Sequence, residues 1–115
     1  MLRGWIGVDF DGTLATYNKG MAPELGKPIP KMVERVKKWL HKGIEVRIVT
    51  ARASHPSFTE ADRTAMSVWC LNHVGQVLPI QCHKDYDMIE LWDDRAVQVE
   101  SNTGERIGIS RMGWS

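Results

Sequence analysis

Cysteine is scarce in this chain: Cys70 and Cys82 are the only two, and neither has metal-ligand spacing to a partner. That excludes a disulfide-stapled scaffold and a cysteine zinc site, so both are read as reduced core residues of a cytoplasmic protein. Long hydrophobic runs are missing as well. None approaches the ~20 residues that cross a bilayer, so no membrane span is expected. The opening MLRGWIGVDF has neither the apolar region nor the small-residue cleavage site of a secretory leader. Charge of one sign is not in excess: the formal net charge is +1, which excludes a global pull toward nucleic acid or membrane. Internal repeats and low-complexity stretches do not occur. The four histidines, His41, His55, His73 and His83, show no ligand spacing and are assigned no metal.

What is present is enough for one domain, residues 1–115, with a hydrophobic core that needs no staples. Trp5 to Val8 is a short apolar run ending in Asp9, the pattern of a buried strand whose C-terminal end reaches the surface. Residues 14–30 hold three prolines and two glycines and read as loop. From Pro30 the period becomes helical, with Met32, Val33, Val36, Trp39 and Leu40 on one face and a basic, solvated face opposite; Gly43 ends it. A second strand is expected over Ile44–Thr50, then a loop to Pro56. Capping-box spacing at Ser57 and Glu60 predicts a helix over Phe58–Val74. Strands follow at Leu78–Cys82 and Met88–Trp92, then a terminal hairpin from Val97 to Ile109. Strands alternating with helices predict an α/β sandwich with a mainly parallel sheet, in which ligands bind beyond the carboxyl ends of the strands.

The acidic and hydroxyl residues gather at those ends. In Asp9-Phe10-Asp11-Gly12-Thr13, residues two apart share a side, so Asp9 and Asp11 face one way and Phe10 turns inward. Close carboxylates repel, which suits a pair in which one attacks and the other moves a proton, or a pair that shares a cation. Asp93-Asp94 closes the last strand of the sheet, where buried acid requires positive compensation. Mg²⁺ prefers oxygen ligands of this kind. Thr50, with the backbone of Ala51 and Arg52, can hold phosphate oxygens, and Lys84 can neutralise them. Each feature alone has a plain structural explanation: an Asp-Gly turn, a solvated acidic doublet paired with Arg95, a strand-end threonine, a surface lysine. The tryptophans at 5, 39, 69 and 92 read as core; Trp114 reads as a near-terminal residue that need not be buried.

In combination and in this order, VDFDGTLA (Val8 to Ala15), IVTAR (Ile48 to Arg52), Lys84 and LWDD (Leu91 to Asp94) resemble the haloacid dehalogenase superfamily of phosphohydrolases. The resemblance implies a three-layer Rossmann-like sandwich without a cap domain, the first strand lying between those ending at Thr50 and Asp93. It implies that Asp9 is a nucleophile forming an aspartyl-phosphate and that Asp11 is the acid/base. Mg²⁺ would then sit on Asp9, the Asp11 backbone carbonyl, Asp93 and Asp94, with Thr50 and Lys84 on the phosphoryl oxygens. Only eight residues lie between Lys84 and Asp93, too few for the helix often found there, and Arg52 is an alternative to Lys84. With no cap, the site is expected to be open, which suits either a large phosphorylated substrate, a nucleic-acid end included, or broad specificity; oligomerisation is left open. TAR and DDR also resemble, more loosely, polynucleotide 3′-phosphatase domains, with Arg52 and Arg95 as phosphate contacts. A phospho-accepting receiver domain is the rival outside enzymes, although receivers carry the acidic pair early and this chain carries it late.

Overall fold

The computed structural model describes residues 3–108. Four strands form a parallel sheet: β1 (Trp5–Val8), β2 (Glu45–Val49), β3 (Ile80–Gln81) and β4 (Met88–Trp92), in the order β3-β2-β1-β4. β1 is therefore central, pairing Val8 with Ile48 on one side and with Trp92 on the other. The expected placement of the first strand between those ending at Thr50 and Asp93 is met. Two helices, α1 (Pro30–His41) and α2 (Glu60–His73), provide the crossovers β1→β2 and β2→β3. Both crossovers step the same way along the sheet. Right-handed connections then require both helices on the same face. Accordingly Met32, Val33 and Val36 of α1 and Met66, Trp69 and Cys70 of α2 share one core with Ile6, Val8, Val46 and Ile48.

Local chemistry sets the helix ends. Pro30 occupies the first turn of α1, where its missing N–H costs nothing, and Gly43 takes φ +82° just beyond the last turn. In α2 the capping box is Thr59 with Asp62, not Ser57 with Glu60. The Ser57 hydroxyl is instead 2.7 Å from His55 Nδ1, so the helix starts at Glu60. The segment after Thr50 is a 3₁₀ turn, Ala51–Ser54, rather than plain loop. β3 is shorter than expected and leaves Cys82 exposed, while Cys70 is buried as anticipated. The terminal hairpin is present as β5 (Gln98–Val99) and β6 (Arg106–Ile107). Ile109 and Trp114 lie outside the described residues.

The other face of the sheet is covered differently. β3 to β4 must run back across β2 and β1, a crossover normally built from a dozen or more residues. Here residues 82–87 do it as a strap. Asp85 Oδ1 accepts from Trp5 Nε1 at 2.8 Å, and its Oδ2 lies 3.3 Å from Arg47. The Arg47 guanidinium stands 4.5 Å from the centre of the Trp5 ring. These contacts bury Trp5 completely without a helix. They also hold the Asp85 carboxyl below the usual carboxylate range, chiefly through the Trp5 hydrogen bond. Gly7 makes the arrangement fit. A Cβ there would lie 3.1 Å from Trp5, 3.1 Å from Val49 and 3.2 Å from Leu91. Gly7→Val is therefore expected to lower stability by about 1–3 kcal/mol through overpacking. Urea unfolding measures it, and an unchanged midpoint would show that the Trp5 face has slack.

Candidate active site

The site grows from two adjacent strand ends. Asp9 N donates to Trp92 O at 2.9 Å, continuing the β1–β4 ladder into the acidic residues. Thr13, itself buried, sews the other end: its Oγ1 accepts from Asp94 N at 3.0 Å and donates to Asp94 Oδ1 at 3.4 Å. Gly12 must be glycine on two counts. Its φ is +83°, and a Cβ would lie 2.5 Å from Asp94 Oδ2. Asp93 Oδ1 accepts from Arg95 N at 2.7 Å.

These bonds bring one oxygen each from Asp9, Asp93 and Asp94 within 4.8 Å of one another. The electrostatic consequence falls on Asp9, whose carboxyl is pushed up to about 7. Burial is the largest cause, followed by the charge of Asp93 and by a hydrogen bond and charge from Asp94. The Phe10 N–H, 2.9 Å from Asp9 Oδ1, opposes the rise. Three hard oxygen donors at this separation fit a divalent cation such as Mg²⁺, which would offset the charge of Asp93 and Asp94 on Asp9.

Asp11 behaves otherwise. The expectation paired it with Asp9, but the groups that raise Asp9 are Asp93 and Asp94. The Asp11 side chain is held in the fork of Arg52, with Nε to Oδ2 at 2.7 Å and Nη2 to Oδ1 at 2.8 Å. That fork raises the Arg52 guanidinium above its ordinary value. Two further Arg52 N–H groups donate to the carbonyls of Pro23 and Glu24, each at 2.9 Å. Thr50 is almost fully buried, and its Oγ1 accepts from Arg52 N at 3.2 Å. Among the described residues its own hydroxyl donates to no side chain or carbonyl. Lys84 is exposed on the strap and makes no ion pair among the described residues. Arg95 meets Asp93 through its backbone N–H.

Beside Asp11 lies a cavity of about 660 Å³. One wall is the segment 16–27, read from sequence only as loop. It is an Ω-shaped excursion whose base is closed by Thr16 N to Lys27 O and by the bridge between Ala15 and Pro28. Gly26 is pressed against Thr16, and Trp69 Nε1 donates to Gly26 O at 2.8 Å, fastening the loop to α2. Tyr17, Pro23 and Leu25 line the cavity from this loop; Phe58 and Met66 face them. None of these five was singled out as a site residue. The signal was there in the length of the segment, because a structureless connection of this size is usually functional. No family model matches the chain, and no curated protein or solved structure does either.

The sign of the pH dependence follows from Asp9. A carboxyl whose folded value is raised contributes no penalty while protonated in both states. Stability then falls as pH rises from about 4 toward 7 and stays lowered above. Without divalent cations, Asp9→Asn is therefore expected to be more stable than the parent at pH 8 and to lose that advantage below pH 4. Mg²⁺ should raise the melting temperature of the parent at pH 8 but not that of Asp9→Asn. Parallel pH profiles for the two proteins would remove Asp9 from the charged cluster.

Proposed function

We propose that the chain is a Mg²⁺-dependent phosphomonoester hydrolase of the haloacid dehalogenase type, its Rossmann-like sandwich reduced to the strap on one face. The reading rests on one observation above all: Asp9 stands with Asp93 and Asp94 at the end of the central strand, while Asp11, two residues on, is turned into a cavity. Asp9, Asp93 and Asp94 would hold the cation, which when bound neutralises carboxylates and phosphoryl oxygens alike.

The remaining chemistry belongs to the chain. An Asp9 carboxylate oxygen attacks phosphorus, and the bond from phosphorus to the substrate's alkoxide oxygen breaks. Asp11, released from the Arg52 fork and carrying a proton taken from solvent, delivers that proton to the leaving oxygen and the alcohol departs. Asp11 then takes a proton from water, whose oxygen attacks the same phosphorus. The bond to Asp9 breaks, inorganic phosphate departs, and the Asp9 carboxylate is restored. Thr50 donates its hydroxyl to a phosphoryl oxygen, and the Ala51 backbone adjoins it. Arg52 is a positioning residue: two of its N–H groups hold Asp11 and two more donate to the loop carbonyls of Pro23 and Glu24. Lys84, three residues beyond the strand end where Thr50 N meets Gln81 O, balances the phosphoryl charge.

An aryl phosphate should be hydrolysed in the presence of Mg²⁺, with no turnover by Asp9→Asn. Asp11→Asn should slow kcat by about 10²–10⁴-fold while circular dichroism stays unchanged. A stable phosphoprotein that never releases phosphate would point to a receiver instead. Lys84→Ala is expected to lower kcat/KM by at least about tenfold, with partial recovery in Lys84→Arg. Full activity in Lys84→Ala would return the phosphate-balancing role to Arg52.

A further inference from the structure

Asp11 and Arg52 line the cavity, whereas Asp9, Asp93 and Asp94 do not. A phosphoryl group held at the three acids would thus have its ester oxygen toward Asp11 and the rest of the molecule in the cavity. We propose, resting on the phosphatase reading, that this cavity takes the alcohol half of the substrate and that this half is a flat heteroaromatic ring system of about nucleoside size, carried by a small phosphomonoester.

Size argues first. About 660 Å³ lies within the range for drug-sized ligands and is far more than a bare phosphate or a glycerol unit fills. The lining argues next. Phe58, Tyr17, Pro23, Leu25 and Met66 supply apolar and aromatic surface suited to a ring face. Phe58 already carries the Arg63 guanidinium 5.3 Å from its ring centre, which braces it from α2.

Polar groups suited to a ring edge are present as well. Ser57 N donates to His55 Nδ1 at 3.1 Å, which puts the neutral ring's proton on Nε2 as a donor. The Asp62 carboxylate uses Oδ2 for both of its bonds from Thr59, and among the described residues Oδ1 accepts none. His55 and Asp62 both line the cavity, so one donor and one acceptor border the apolar surface. A heterocycle with hydrogen-bonding edges matches that pattern; a polyol, which needs many polar partners and no ring face, does not. Charge separates a single small phosphate from a polynucleotide. The two cations of the lining, Arg52 and Arg95, are matched in number by Asp11 and Asp62, and Arg52 is paired with Asp11. No surplus positive charge is left in the lining to hold neighbouring backbone phosphates.

The test measures kcat/KM with Mg²⁺ for adenosine 5′-monophosphate, glycerol phosphate and a 3′-phosphorylated oligonucleotide, in the parent, Phe58→Ala and Tyr17→Ala. Adenosine binding to the parent and to Tyr17→Ala is followed by calorimetry. The mononucleotide should exceed glycerol phosphate by at least about tenfold. Both variants should raise KM for the mononucleotide more than for glycerol phosphate. Equal kcat/KM for the two small esters, or a tenfold preference for the oligonucleotide, overturns the proposal while leaving the phosphatase reading intact. If no ester is hydrolysed the phosphatase reading fails, and calorimetry decides the cavity. Adenosine binding weakened by Tyr17→Ala upholds a ring site, and absence of binding overturns it. Tyr17 is half-exposed on the Ω-loop, so its variant keeps the test valid if Phe58→Ala does not fold.

Discussion

Three carboxylates converge where the central strand and its neighbour end, and the rest of the molecule is arranged around that unfavourable convergence. Asp9 cannot move away, because its N–H continues the ladder to Trp92, and Asp94 cannot, because Thr13 grips both its backbone and its side chain. The neighbouring guanidinium does not relieve the crowding, since Arg52 is spent on Asp11 and on the Ω-loop. The three carboxylate oxygens therefore stay within 4.8 Å of one another, close enough to share a cation. A site that is poised but costly is the usual state of a preorganised catalytic centre.

The sheet tolerates such a site because its rigidity comes from elsewhere. On one face both helices press a continuous core against β1 and β2, with Phe10 packed edge-on against Trp69 at 4.8 Å between ring centres. On the other, Trp5 lies over Gly7 and is fastened by Asp85 and Arg47 from the strap. Phe10 sits between Asp9 and Asp11 in sequence, so burying its side chain fixes the backbone that carries both. Packing thereby directs Asp9 to the acidic cluster and Asp11 to the cavity. The same α2 that supplies Trp69 to the core also fastens the Ω-loop through the indole N–H, which links the cavity wall to the fold rather than leaving it loose.

Much of this was legible in the sequence, for physical reasons. Period and punctuation marked α1 to within a few residues, and the apolar run before each acid marked β1 and β4. The inward turn of Phe10 followed from alternation alone. The convergence of Asp9 with Asp93 and Asp94 depended on which strands are neighbours, and only the family resemblance supplied that. Other features depended on contacts distant in sequence. The partner of Asp11 is 41 residues away, so local spacing paired Asp11 with Asp9 instead. Ser57 had the right spacing for a cap, but His55 competed for it. The Ω-loop looked like any stretch rich in glycine and proline, because its walls are built only when Thr16 meets Lys27 and Gly26 meets Trp69. Cys82 was misjudged because β3 ends before it.

The account stands or falls on the identity of the group that first bonds to phosphorus. Acid quenching during turnover of a ³²P-labelled phosphomonoester, followed by peptide mapping, reads this directly. The expected result is hydroxylamine-labile label on the peptide bearing Asp9. Continued phosphate release with no label there, or with label on another residue, would contradict it.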